Sequence, residues 1–108
     1  MSVNYSAKYG RGYMVDWSEI EQLDDETHDE FLDSKYTNWI CGYSDNSPIF
    51  FGIVAVSIDC DETGYYELDP SDGEFSHSQM IDMIKEFKRF FPNRNSYSLH
   101  NYIMGCVT

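Results

Sequence analysis

The run IFFGIVAVSID, residues 49–59, constrains the fold of this chain more than any other stretch. It is rich in β-branched and aromatic residues, the types that fit a pleated, buried surface. Its apolar side chains are nearly continuous, so a strand built from them belongs in the middle of a sheet. A second apolar pattern has a different period. Met80, Met83, Ile84, Phe87, Phe90 and Phe91 follow the i, i+3, i+4, i+7 spacing of an amphipathic helix. Ser76-x-x-Gln79 ahead of it has the form of a capping box, and PNRN, beginning at Pro92, stops it.

The other segments are weaker but consistent. Asp16-x-x-Glu19 is another capping box, and Trp17, Ile20, Leu23, Phe31 and Leu32 form an apolar stripe for a helix over about 17–33. LDDET allows a break near Asp24, with a second short helix starting there. KYTNWICGYS (35–44) alternates as a strand does, and SDNSP after it reads as a turn. YYELD is expected to return as the hairpin partner of 49–59, and SYSLHNYIMGCV (96–107) reads as a closing strand. Gly10 and Gly12 argue against a helix over residues 3–15, so a loop or short strand is expected there. No repeat, low-complexity tract or Pro/Gly/Ser linker divides the chain. The expectation is one α+β domain over 1–108: a mostly antiparallel sheet of about four strands, with two main helices packed on it.

Charge is the outlying property. The chain has 19 acids and 7 Lys or Arg in 108 residues, a formal net charge of -12. From Gly12 to Ile84 there are eighteen acids and one base, Lys35. Such a surface repels nucleic acid and anionic membranes and attracts basic proteins. Glu21, Asp25, Asp29 and Asp33 stand at successive i+4 steps, and Glu26 and Glu30 form a row beside them. Like charges at that spacing cost a helix about 0.2–0.5 kcal/mol a pair. The seven acids from Glu21 to Asp33, Asp24 among them, span about 18 Å of helix. That density is close to one phosphate per about 3.4 Å of nucleic-acid strand. A second acidic block contains Asp59, Asp61, Glu62, Glu67, Asp69, Asp72 and Glu74.

Catalytic patterns are thin. Asp59, Asp61, Thr63 and Gly64 match positions 1, 3, 5 and 6 of a calcium loop, but position 12 is Pro70, where a bidentate Glu is needed. The flanks read as strands, so a hairpin tip with Gly64 at positive φ accounts for the glycine without metal. His28, His77 and His100 have no HxxxH or HxH partner. Cys41 as a nucleophile with His77 or His100 as base rests on position alone, and a buried inert thiol is the better reading. Cys41, Cys60 and Cys106 are odd in number and lack CxxC spacing, which fits reduced thiols in the cytoplasm. The sequence has no apolar run of membrane-spanning length and no export leader at its start, so a soluble cytoplasmic protein is expected. The expectation is a non-enzyme with no cofactor and no metal. A small metal-dependent enzyme using Asp59, Asp61 and a histidine is the less favoured alternative.

In size, and in its acidic blocks 16–33 and 59–74, the chain resembles the small acidic inhibitors that phages and mobile elements direct against host nucleases. These are anti-CRISPR and anti-restriction proteins, some of which imitate DNA. The resemblance is one of class and involves no motif. It implies a protein-binding inhibitor whose two acidic blocks occupy the basic nucleic-acid groove of a nuclease or other DNA- or RNA-binding protein. The partner is then a basic host protein, with no direct binding of nucleic acid or membrane. An immunity or antitoxin-type protein that neutralises a basic toxin shares these electrostatics.

Overall fold

The computed structural model describes residues 5–40, 47–60 and 74–107. They form an α+β domain: strand β1 (Tyr5–Val15), helices α1 (Trp17–Ile20) and α2 (Asp25–Asp33), strands β2 (Thr37–Trp39) and β3 (Ile49–Cys60), helix α3 (His77–Phe90) and strand β4 (His100–Val107). The four strands make one antiparallel sheet in the order β2-β3-β1-β4. The helices cover one face of it, which is the architecture read from the sequence.

The expectation of a loop or short strand over 3–15 is corrected. β1 is an eleven-residue strand bonded to β3 on one side and β4 on the other. Its glycines do not interrupt the ladder; they let it close. Gly12 lies opposite Gly52, and a Cβ on Gly12 would sit 2.3 Å from the Phe51 carbonyl oxygen and 2.6 Å from the Gly52 Cα. A Cβ on Gly10 would stand 2.9 Å from the Phe50 ring. Phe50 is fully buried in the notch these glycines leave, edge-on to Tyr102 at 5.8 Å. A skip in register between Tyr9 and Gly10 passes over Ala55, so β1 and β3 stay paired from end to end.

The helix-facing core joins Tyr13 and Val15 of β1, Ile49 and Phe51 of β3, Ile20 and Phe31 of the N-terminal helices, and Met80, Met83, Phe87 and Phe90 of α3. It is dominated by aromatic rings. Tyr13 stacks on Phe87 at 3.9 Å, and Phe31 meets Phe90 and Phe91 edge-on at 5.5 and 5.3 Å. Offset and edge-to-face contacts of this kind add about 0.5–1.5 kcal/mol each beyond area burial. Arg94 clamps the edge of this cluster: its guanidinium lies over Phe87 at 5.0 Å and donates to the Met14 carbonyl.

The helix expected over 17–33 is divided at the anticipated place. α1 ends after one turn, and Asp24 starts α2 by accepting from the Thr27 N–H at 2.8 Å. The strand expected over 35–44 is shorter, β2 holding only Thr37–Trp39; 41–44 lie outside the described residues, as does the YYELD hairpin partner. The closing strand begins at His100 and not at Ser96. Before it the Ser98 N–H donates to Ser96 Oγ, and the Tyr97 hydroxyl turns inward to the Phe91 carbonyl. These local bonds compete with ladder formation.

Candidate functional site

The orientation of α2 follows from one residue. Phe31 is wholly buried against Phe51, Phe90 and Phe91. At about 100° per residue, Asp25, Glu26, Asp29 and Asp33 fall within about 60° of the direction opposite Phe31. All four are exposed. Asp24 is exposed too, yet its carboxylate is committed to the helix start. The Thr27 N–H holds its acidity below the ordinary 3.8. Two further acids bias the first turn of α2 favourably, but Asp33 stands at the C-terminal end, where the helix dipole opposes negative charge. Glu21 is exposed in the turn that follows α1.

The acidic row is not left wholly uncompensated. α3 runs alongside and supplies bases that are remote in sequence. Arg89 bonds Glu30 at 2.9 Å and approaches Glu86 at 3.7 Å, and Lys35 reaches Asp82 at 3.5 Å. The Tyr36 hydroxyl donates to the same Asp82 carboxylate. That bond, with Lys35 second, draws the Asp82 pKa below 3.8; burial first and Asp82 next push the Tyr36 phenol above 10.0. Between α2 and α3 lies an open groove of about 940 Å³. Glu26, Asp29, Glu30 and Asp33 line it from α2, Asp82 and Glu86 from α3, with Lys35, Lys85 and Arg89 interspersed. Among the described residues the groove thus carries six acids against three bases.

The structure therefore brings together Glu26, Asp29, Glu30 and Asp33 with two acids that sequence reasoning did not single out, Asp82 and Glu86. Their i, i+4 spacing on the polar face of α3 was the available signal. Of the second acidic block, Glu74 is exposed just ahead of the Ser76 cap. Asp59 belongs to β3. Asp61, Glu62, Glu67, Asp69 and Asp72 lie outside the described residues, and with them the calcium-like loop. No family model, curated protein or solved structure matches the chain.

Ligand chemistry finds little else to use. Among the described residues no three of His, Cys, Asp and Glu are grouped to hold a metal ion. His28 lies beside Asp29 at 3.5 Å, whereas His77 is exposed at the start of α3 and His100 at the start of β4. Cys41 lies outside the described residues. Among the described residues no helix is long and apolar enough to cross a membrane. What the α2 surface offers is dense, exposed carboxylate on a helix held firmly from behind.

Proposed function

We propose that the protein is a binding inhibitor that acts without catalysis. Its acidic surface occupies the Lys/Arg-lined groove in which a nuclease, or another nucleic-acid-binding protein of the same cell, holds phosphates. The observation that carries this reading is the geometry of α2: Phe31 fixes the helix from below while Asp25, Glu26, Asp29 and Asp33 stand exposed on the far side. Carboxylates about 6 Å apart repel by roughly 0.7 kcal/mol in bulk water, and a basic partner relieves that repulsion. Rigid backing matters because a preorganised charged row loses little side-chain and backbone freedom on binding. Glu30, Asp82 and Glu86 are held by Lys35 and Arg89 and shape the groove; Asp25, Asp29 and Asp33 are the residues offered to the partner. An anti-CRISPR or anti-restriction role in the cytoplasm is the form of this activity that the charge layout fits best.

The test is a tagged pull-down from host lysate with and without excess duplex DNA, run in parallel with the Asp25→Lys, Asp29→Lys variant. A nucleic-acid enzyme that is recovered by the wild type, displaced by DNA and lost with the double variant is the expected result. A partner indifferent to DNA would replace this reading with a toxin-neutralising one. Cys41→Ser and His100→Ala are expected to inhibit as the wild type does; loss of inhibition in either, with the fold intact, would overturn the non-catalytic mechanism.

A further inference from the structure

We propose that the protein self-associates through β4, two copies pairing antiparallel edge to edge so that their sheets become one. This inference does not rest on the acidic-surface reading. β4 ends the strand order and is bonded to β1 through residues His100–Val107. Among the described residues, no strand pairs with its outer edge. Sheets ordinarily protect such an edge by shortness, by proline, or by lysine and other charges. The opposite edge is protected in this way, since β2 has only three residues. β4 has eight, HNYIMGCV, with no proline and no charged side chain at neutral pH apart from a histidine.

Charge and register both select a second copy as the occupant. A chain of net charge -12 repels its own copies over most of its surface. From Asn93 to Thr108 it has no carboxylate side chain, and its one base there is Arg94. α2, with its acidic row, packs at the other end of the sheet against β2. Joining two sheets at β4 sets the two β2 strands seven strand spacings apart, about 34 Å at about 4.8 Å each. That is several times the Debye length of about 8 Å at physiological salt. A two-fold axis through Ile103 places Ile103 against Ile103 of the second copy, Tyr102 against Met104, and Asn101 against Gly105. Ile103 is 79 % exposed, the most exposed large apolar side chain of the described residues, and the axis covers it with its own equivalent. The Tyr102–Met104 pairs add ring–sulfur contacts on the other face.

Light scattering and sedimentation equilibrium over a concentration series are expected to show a monomer–dimer equilibrium for the wild type. Ile103→Lys, an exposed substitution whose fold is checked by circular dichroism, is expected to raise the dissociation constant at least tenfold. Ile103→Cys under mild oxidation is expected to give a dimer whose disulfide maps by peptide mass spectrometry to position 103 in both copies. A wild-type protein that stays monomeric up to its solubility limit overturns the proposal. A dimer indifferent to Ile103→Lys, or an Ile103→Cys protein that crosslinks only through other cysteines, overturns it as well.

Discussion

Gly12 and Gly105 are both strand glycines, and the structure assigns them opposite sensitivities. The backbone of β3 stands 2.3 Å from where a Gly12 Cβ would be, whereas nothing lies within 4 Å of a Cβ on Gly105. Gly12→Ala forces the strands apart and is expected to cost more than about 2 kcal/mol in urea unfolding. Gly105→Ala is expected to be neutral or slightly stabilising, because it restricts the unfolded chain. The Tyr36–Asp82–Lys35 contact gives a pH signature. Asp82 has a lowered pKa in the fold, so its contribution is present above the ordinary 3.8 and is lost as pH falls through the lower folded value. Tyr36 and Lys35 have raised values, so theirs are present below 10.0 and 10.5 and are lost as pH rises through the folded values. The stability difference between the wild type and Tyr36→Phe is therefore expected to be largest near neutrality and to shrink below pH 3.8. An equal difference at neutral and acid pH would contradict the assignment.

At the scale of elements, α2 illustrates how little of its stability is its own. Its nine residues carry five acids and no base, and a helix this short is marginal in water. Packing of Phe31 under its inner face holds it. Phe31→Ala is expected to destabilise the domain by about 3–5 kcal/mol. Amide hydrogen exchange of α2 is expected to accelerate more than that of β1 or β3. Charge reversal at Asp25 and Asp29 is expected to leave unfolding almost unchanged or to stabilise the protein slightly, since it removes like-charge contacts. Together the two results would separate the helix's anchor from its exposed face. The short first helix and the Asp24 cap were legible in the sequence because capping chemistry is local. The length of β1 was not, because Gly10 and Gly12 have meaning only beside Gly52 and Phe50, forty residues away in the ladder.

The whole molecule is governed by its net charge. With 19 acids against 7 Lys or Arg, the folded state compresses like charge that the unfolded chain spreads out. The described ion pairs are mostly solvent-exposed and contribute little that salt can remove. The melting temperature is thus expected to rise from low to physiological ionic strength. Affinity for a basic partner is expected to fall over the same range, with slower association, because steering is screened. Melting that drops steadily with added salt would mean that the ion pairs between α2 and α3 outweigh the overall repulsion.

Composition and periodicity by themselves determined the class of fold, the central strand, the long C-terminal helix and the location of the first acidic block. Each of these depends on residues near one another along the chain. Only the tertiary structure decided what the acids do. It turned α2 so that one row faces outward, and it brought Arg89, Asp82 and Glu86 of α3 beside that row, making a mixed groove where the sequence had shown a run without bases. Pairing between charges more than fifty residues apart has no period and no local signal. It arises because Phe31 and Phe90 share one core and thereby fix the distance between the two helices.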